Sequence, residues 1–280
     1  MDDRPMFAKP PPLSRVRLAI VCPGETEVAK RAIAISKAAR LPLDGYAVLD
    51  SVTVGHAVNS HLAKQEVQAA LSQAIANVSA LADTHKTKLN VVSVEGDPEK
   101  LIPHTKANHE LLVLPHYGYF HHGVELRTPD RPGRPDGLLR LAGLHCGPTL
   151  LTNGLPEKDS METRIAVFDD GTAKFPEKLA SVVATGIWPN PRLFLASRHA
   201  AARSTLFRAV IVAAGVEAQI ERLEGMGNGT LTLPDVYGGF AAVVVSELPR
   251  PLRTVWYGRI WLDHFGLGWS GEVVVTPTAY

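Results

Sequence analysis

The sequence predicts an α/β protein made of two successive parallel-sheet units. Three observations carry that reading. Apolar strand-like runs alternate with helix-like stretches along most of the chain, the order that builds a parallel sheet with helices on both faces. The apolar runs are continuous rather than alternating, as in strands buried on both sides. The pattern also restarts. Arg164-Ile-Ala-Val-Phe-Asp-Asp-Gly171 matches Arg17-Leu-Ala-Ile-Val-Cys-Pro-Gly24 at a shift of 147 residues, and Leu193-Phe-Leu-Ala196 follows Tyr46-Ala-Val-Leu49 at the same shift. Unchanged spacing over two elements points to an internal duplication.

The lead-in, Met1 to Pro12, has two early acids and no apolar core segment, so it reads as a flexible lead rather than a secretory signal. Arg17 to Gly24 supplies the first strand and its turn. Glu27 to Arg40 carries Val28, Ala32, Ile35 and Ala39 at helical spacing, and Pro42 closes it. Gly45 to Asp50 is the second strand. Leu62 to Ala82 is the clearest helix, with Val67, Leu71, Ile75, Val78 and Leu81 in one stripe and Lys64, Gln68 and Gln73 off it. Leu89 to Val94 is the third strand, and Asp97 caps a short helix opening at Pro98. Glu110 to Leu114 is the fourth strand. A loop rich in glycine and histidine follows, Pro115 to Gly123, then a proline-rich excursion, Arg127 to Pro135. Gly137 to His145 forms a short helix and Pro148 to Thr152 the fifth strand.

A polar linker, Gly154 to Ser160, leads into the second unit. Its strands are expected at Arg164 to Gly171, Leu193 to Ala196, Val216 to Ile220, Ala241 to Val245 and Glu272 to Thr276. Its helices are expected at Lys174 to Thr185 and Ala201 to Ala214. The two units are therefore residues 13–155 and 161–280.

Composition narrows the function. Among 280 residues, 45% are hydrophobic and 20% charged, as in ordinary globular proteins. A formal net charge of +1 leaves no electrostatic footprint for nucleic acid. No apolar run approaches the roughly 18 residues that suggest a membrane span. The two cysteines, Cys22 and Cys146, are too few for a disulfide scaffold or a four-cysteine zinc site. They fall at opposite ends of their strands, which argues against a bond between them. A reduced, cytoplasmic protein is the expectation.

Enzyme signatures are missing: no phosphate-binding P-loop, no H-E-x-x-H and no G-x-S-x-G. Gly266-Leu-Gly268-Trp-Ser-Gly271 has the spacing of a dinucleotide fingerprint but precedes a strand and opens no helix. His104, His109, His116, His121 and His122 lie close in sequence. His121 and His122 are the best placed of them for a metal, with zinc as the candidate, although no helical pair or nearby cysteine supports it; exposed loop histidines are the plainer account. Asp169 and Asp170 follow the first strand of the second unit, where a carboxylate either faces a ligand or caps the next helix. Arg127, Arg131, Arg134 and Arg140 offer an anion clamp, diluted by Asp130, Asp136 and the prolines. Arg250, Arg253 and Arg259 do the same in the second unit. No nucleophile–base pair stands out, so an enzyme is not expected.

Two junctions carry a family resemblance. His145-Cys-Gly-Pro148-Thr-Leu-Leu151 resembles the helix-to-last-strand junction of universal stress proteins, and Phe168-Asp-Asp170-Gly171-Thr172 resembles their D-G-S/T turn after the first strand. With the order of elements in both units, the chain resembles a tandem universal stress protein of the UspA type from Arg15 to Thr276. The resemblance implies two tandem five-stranded α/β sandwiches of the adenine-nucleotide alpha-hydrolase-like fold, each with strand order 3-2-1-4-5. It also implies an intramolecular pseudo-dimer whose fifth strands meet across a pseudo-twofold axis, with a homodimer as a further assembly.

ATP-binding members of that family carry G-x2-G-x9-G-[ST] after the fourth strand. Here four residues separate Gly118 from Gly123, nine separate Gly123 from Gly133, Arg134 replaces the hydroxyl residue, and Pro23 takes the place of the aspartate seen at Asp170. In the second unit Ser246-Glu-Leu-Pro249-Arg-Pro251 replaces the glycine loop, with Glu247 facing any phosphate. The resemblance thus implies a stress-response protein with a degenerate crevice for ATP or another adenine nucleotide in the first unit. Cys22, Pro23, Gly24, Val48, Gly118, Gly123, Gly133 and Arg134 would form it, with Asp169 and Asp170 as the second unit's counterpart. A scaffold that binds no nucleotide and presents its surface to protein partners is the alternative.

Overall fold

The computed structural model describes residues 10–103, 109–116, 118–122, 124, 137–154, 163–197, 200–222, 240–246 and 271–277. Ten strands and seven helices follow one another in them. The first half comprises β1 (Arg15–Ala19), α1 (Glu25–Ala39), β2 (Leu43–Asp50), α2 (Ser51–Gly55), α3 (Ser60–Thr84), β3 (Leu89–Gly96), α4 (Pro98–Leu101), β4 (Glu110–Pro115), α5 (Gly137–Leu144) and β5 (Thr149–Thr152). The second comprises β6 (Thr163–Phe168), α6 (Lys174–Val183), β7 (Pro191–Ala196), α7 (Ala200–Ala213), β8 (Gln219–Arg222), β9 (Ala242–Val245) and β10 (Glu272–Val275).

Local chemistry accounts for the boundaries. Asn59 accepts from the Leu62 amide and opens α3 a turn's breadth before its apolar stripe, while Asp97 accepts from the Glu99 amide as expected. The buried face of α3 is Ala63, Val67, Leu71, Ala74, Val78 and Ala82. It runs through alanines where the larger Ile75 and Leu81 were expected, and these two are half-buried. Arg40 ends α1 in the left-handed region, at φ 54, before Pro42 is reached. The short helix α2 was not expected. The Asp50 carboxylate builds it by accepting from the amide and hydroxyl of Thr53, and one turn is too brief to show a period. β8 begins three residues later than expected. Gly215 turns at φ 77 and the Val216 amide bonds Ile211 O, so Val216 belongs to the helix exit.

The strands lie in the order β3-β2-β1-β4-β5-β10-β9-β6-β7-β8. Each half keeps the 3-2-1-4-5 arrangement, with parallel pairing throughout. The expectation of two separate five-stranded sheets is corrected in one respect. β5 and β10 pair antiparallel, Val274 opposite Leu150, and the halves form one continuous ten-stranded sheet. Each five-stranded sheet alone would leave an edge strand, β5 or β10, with unpaired backbone groups, and pairing the two edges removes both.

Alternate residues of each strand feed opposite faces. Leu18, Ile20, Leu111 and Val113 face the side of the sheet that α1 covers, within a core cluster that continues into the second half through Ile165, Val167 and Leu193. Ala19, Val21, Leu112 and Leu114 pack with Leu138, Leu141 and Ala142 of α5 on the other side. A buried ionic knot ties the halves together beside the β5–β10 pair. Glu272 of β10 accepts from Arg31 Nε at 2.6 Å and Arg31 Nη2 at 2.9 Å, from Trp188 Nε1 at 2.8 Å and from Thr152 Oγ1 at 3.2 Å. Arg31 Nη2 also donates to Ile187 O at 2.7 Å. Such a carboxylate is tolerated in the interior because both of its oxygens are used.

Candidate functional site

In open α/β sheets the ligand crevice lies beyond the carboxyl ends of the strands, where neighbouring connections leave in opposite directions. In the first half that point lies between β1 and β4. β1 runs on through Ile20 and Val21 to Cys22, Pro23 and Gly24. Gly24 starts α1 at φ 102 with no side-chain cap and open space around it, a conformation suited to glycine. β4 runs on to His116 and the loop from Gly118 to His122.

This loop crosses the crevice. The Tyr119 amide donates to Cys22 O at 2.7 Å and makes an isolated antiparallel bridge with it. Gly118 lies so close to β1 that a Cβ there would stand 2.7 Å from Val21 Cγ1. A glycine is therefore needed at Gly118 for the loop to lie against the strand. Phe120 joins the core beside Val21 and Val48. The rings of Tyr119 and His121 stack at 4.6 Å. His122 adopts the left-handed conformation at φ 53 and sets Nδ1 3.2 Å from Cys22 Sγ.

The titratable groups here are held neutral. Burial, followed by the Glu25 carboxylate, pushes the Cys22 thiol up to about 12. Burial and then His121 lower His122 to about 4, against opposing pulls from Glu25 and the Val48 carbonyl. His121 is lowered as well, by burial, with Asp50 opposing. His116 is brought down to about 4 by burial, although its Nε2 donates to Leu151 O at 3.0 Å. A protonated thiol facing a neutral imidazole is a weak hydrogen-bonded pair. It is not the thiolate–imidazolium arrangement of a nucleophile.

Of the first-half residues expected at the site, Cys22, Pro23, Gly24, Val48 and Gly118 come together, and His122 joins them. Gly123, Gly133 and Arg134 lie outside the described residues, as do Arg127, Arg131, His104 and Glu247. Arg140, expected in an anion clamp, is exposed and pairs with Glu99 at 3.3 Å. Among the described residues no group of three histidine, cysteine or acidic side chains could hold a metal, and Nδ1 of His122 is turned to the thiol. Both cysteines are free thiols. Sequence reasoning missed Tyr119 and Glu25, whose parts depend on a backbone bridge and a helix start that no motif marks.

The second half closes the equivalent point differently. The Asp169 carboxylate accepts from Arg203 Nε at 2.7 Å and Nη2 at 2.5 Å, from Ser197 Oγ at 2.9 Å and from the Gly171 amide at 3.2 Å. Its side chain has no exposed surface. Asp170 accepts from the Thr172 amide at 2.8 Å. The expectation that Asp170 caps the next helix is corrected: α6 starts from Ala173 without a side-chain cap, so Asp170 closes a turn ahead of the helix. Arg203 sits within α7 and carries no sequence signal that pairs it with Asp169.

No family model matches the chain, and no curated protein matches it either. A universal stress protein from Archaeoglobus fulgidus has a similar solved structure, with a TM-score of 0.63 and 11% sequence identity over 95% of this chain and 97% of that one. The element order, the mirrored 3-2-1-4-5 halves and this likeness agree: in fold, the chain is a universal-stress-protein-like α/β protein.

Proposed function

We propose that this chain is a universal-stress-protein-like, cytoplasmic stress-response protein that acts as an interaction scaffold and not as an enzyme. In this reading residues 13–155 and 161–280 are two units of an intramolecular pseudo-dimer, and their mirrored strand orders support that division. One observation carries the scaffold reading: the first-half crevice is spanned by the chain's own loop, through the Tyr119–Cys22 bridge and the His122–Cys22 contact. The buried Asp169–Arg203 pair supports the same view of the second half. A thiol pushed up to about 12 argues against Cys22 as a nucleophile. Among the described residues no helix is long and apolar enough to cross a membrane.

Calorimetric titration with ATP, ADP and AMP tests the reading. The wild-type chain is expected to give no saturable heat with any of them. Micromolar ATP binding would overturn it.

A second reading has a specific observation behind it. Gly24 opens α1 with free space around it, Pro23 beside it is exposed, and the described closure over them rests on few hydrogen bonds. A nucleotide could then enter when the loop lifts. His122→Ala separates the two readings: ATP binding that appears only in this variant favours a latent nucleotide crevice. Native mass spectrometry of protein taken directly from cells would show whether a small molecule is carried.

A further inference from the structure

The antiparallel join of β5 and β10 brings opposite strand ends together. The carboxyl end of β10 lies at the same edge of the sheet as the amino ends of β1, β4 and β5. A groove of about 240 Å³ opens at this edge, on the far side of the sheet from the first-half crevice. Pro11 and Leu13 precede β1, His109 precedes β4, and Pro148 precedes β5. The facing wall is one side of α6: Lys174, Glu177, Lys178 and Ser181, at positions that share a helical face.

The groove is built rather than incidental. Ser181 Oγ lies 2.9 Å from Pro11 O and fixes the segment before β1 against α6. The Ser14 amide donates to His109 O at 2.7 Å and ties the same segment to β4. Lys178 is half-buried inside. Its ammonium donates to Pro277 O and, at 3.4 Å, to Cys146 O. These partners are carbonyls, and Lys178 has no ion pair among the described residues. An ammonium has three donors, and the described residues take up two of them. Burial lowers the affinity of Lys178 for its proton, with Cys146 opposing and Lys174 adding to it, and an anion beside it would reverse that effect.

We propose that this groove binds a small organic monocarboxylate, with the carboxylate on Lys178 and an apolar body against Leu13, Pro11 and Pro148. The size follows from the volume, which is below the roughly 300 Å³ where drug-sized pockets begin. The charge follows from the wall. Lys178 is the cation set inside the groove, and Glu177 on the same helical face repels a second negative charge. Ser181 Oγ shares the wall with Lys178, but its one hydrogen is committed to the Pro11 and Glu177 carbonyls, so Lys178 is the donor that meets the carboxylate.

The test uses the full chain, with benzoate as probe and inorganic phosphate as the doubly charged comparison. Amide resonances of Leu13, Lys178 and Ser181 are expected to shift saturably with millimolar benzoate and to stay put with phosphate. Lys178→Gln should weaken benzoate binding at least about tenfold. Because that variant also loses its hold on Pro277, a second measurement uses the wild-type chain. Benzoate should slow acetylation of Lys178 by trace acetic anhydride, read by mass spectrometry, and leave exposed lysines such as Lys88 unchanged. No saturable shift, shifts away from the groove, unchanged Lys178 labelling, or phosphate binding as tightly as benzoate would each overturn the proposal.

Discussion

The two halves share a strand order yet shut the same topological position with opposite chemistry. In the first half the closure is neutral: a backbone bridge from Tyr119 to Cys22, a protonated thiol, and imidazoles stripped of charge by burial. In the second it is ionic: Asp169 held by Arg203, Ser197 and a turn amide. The difference teaches that a common fold fixes where a crevice lies but leaves its contents to a few side chains. It also makes the halves separable by experiment, because neutral and ionic closures answer differently to mutation, acid and thiol reagents.

The largest effect is expected from Asp169→Ala. It leaves Arg203, whose side chain is 13% exposed, without its carboxylate. Orphaning a buried charge costs about 3–5 kcal/mol. Thermal unfolding should show a loss of that order, and Asp169→Ala combined with Arg203→Met should recover part of it. A loss under about 1 kcal/mol, the usual size for an exposed pair, would dissolve the contrast between the halves.

Acid should act next, and on the first half. His116 and His122 have folded pKa values lowered to about 4 from an ordinary value near 6.5. The unfolded chain therefore binds more protons between those limits, and stability falls as pH drops through that window. It is fully present above about 6.5. For His116, which is 8% exposed, a shift of this size corresponds to roughly 3 kcal/mol. His116→Gln should flatten the stability–pH curve between pH 6.5 and 4. An unchanged curve would mean that His116 carries its charge in the fold. Gly118→Val should cost less, about 1–3 kcal/mol as overpacking against Val21, and should leave the Asp169–Arg203 pair intact.

Much of this architecture is written in the sequence, for reasons visible in single elements. The continuous apolar runs at Glu110–Pro115 and Glu272–Val275 are strands buried on both faces, and burial on both faces leaves a continuous pattern. The stripe in α3 is long enough to show its period. The continuous sheet was less legible, because edge pairing depends on two strands far apart in the chain meeting as equals. At the site, a glycine such as Gly118 reports that something comes close, but not what. The family pattern suggests a phosphate, whereas the structure puts Val21 there. Arg203 is read as any helix arginine until folding carries it to Asp169. Lys178 likewise shows no motif, since the carbonyls that hold it come from Cys146 and Pro277.

The smallest expected effect on stability is also the most direct check of the neutral closure. Cys22 is half-buried and Cys146 buried, so access alone would let Cys22 react first with a thiol reagent. Its thiol, however, is pushed up to about 12. Since only the thiolate attacks, and free cysteine has a pKa of about 8.5, the reactive fraction near pH 8 falls by roughly three powers of ten. In the folded chain Cys22 should be titrated by Ellman's reagent at least about a hundredfold more slowly than free cysteine, and both thiols should react promptly in denaturant. Glu25→Gln should speed Cys22 modestly, because the carboxylate is the smaller cause and burial the larger. His122→Ala should speed it more, by admitting water to the sulfur. Fast modification of wild-type Cys22 would mean that the thiol is ionised against His122. The first half would then be closed by charge as the second is, and the contrast drawn from Asp169 and Arg203 would vanish.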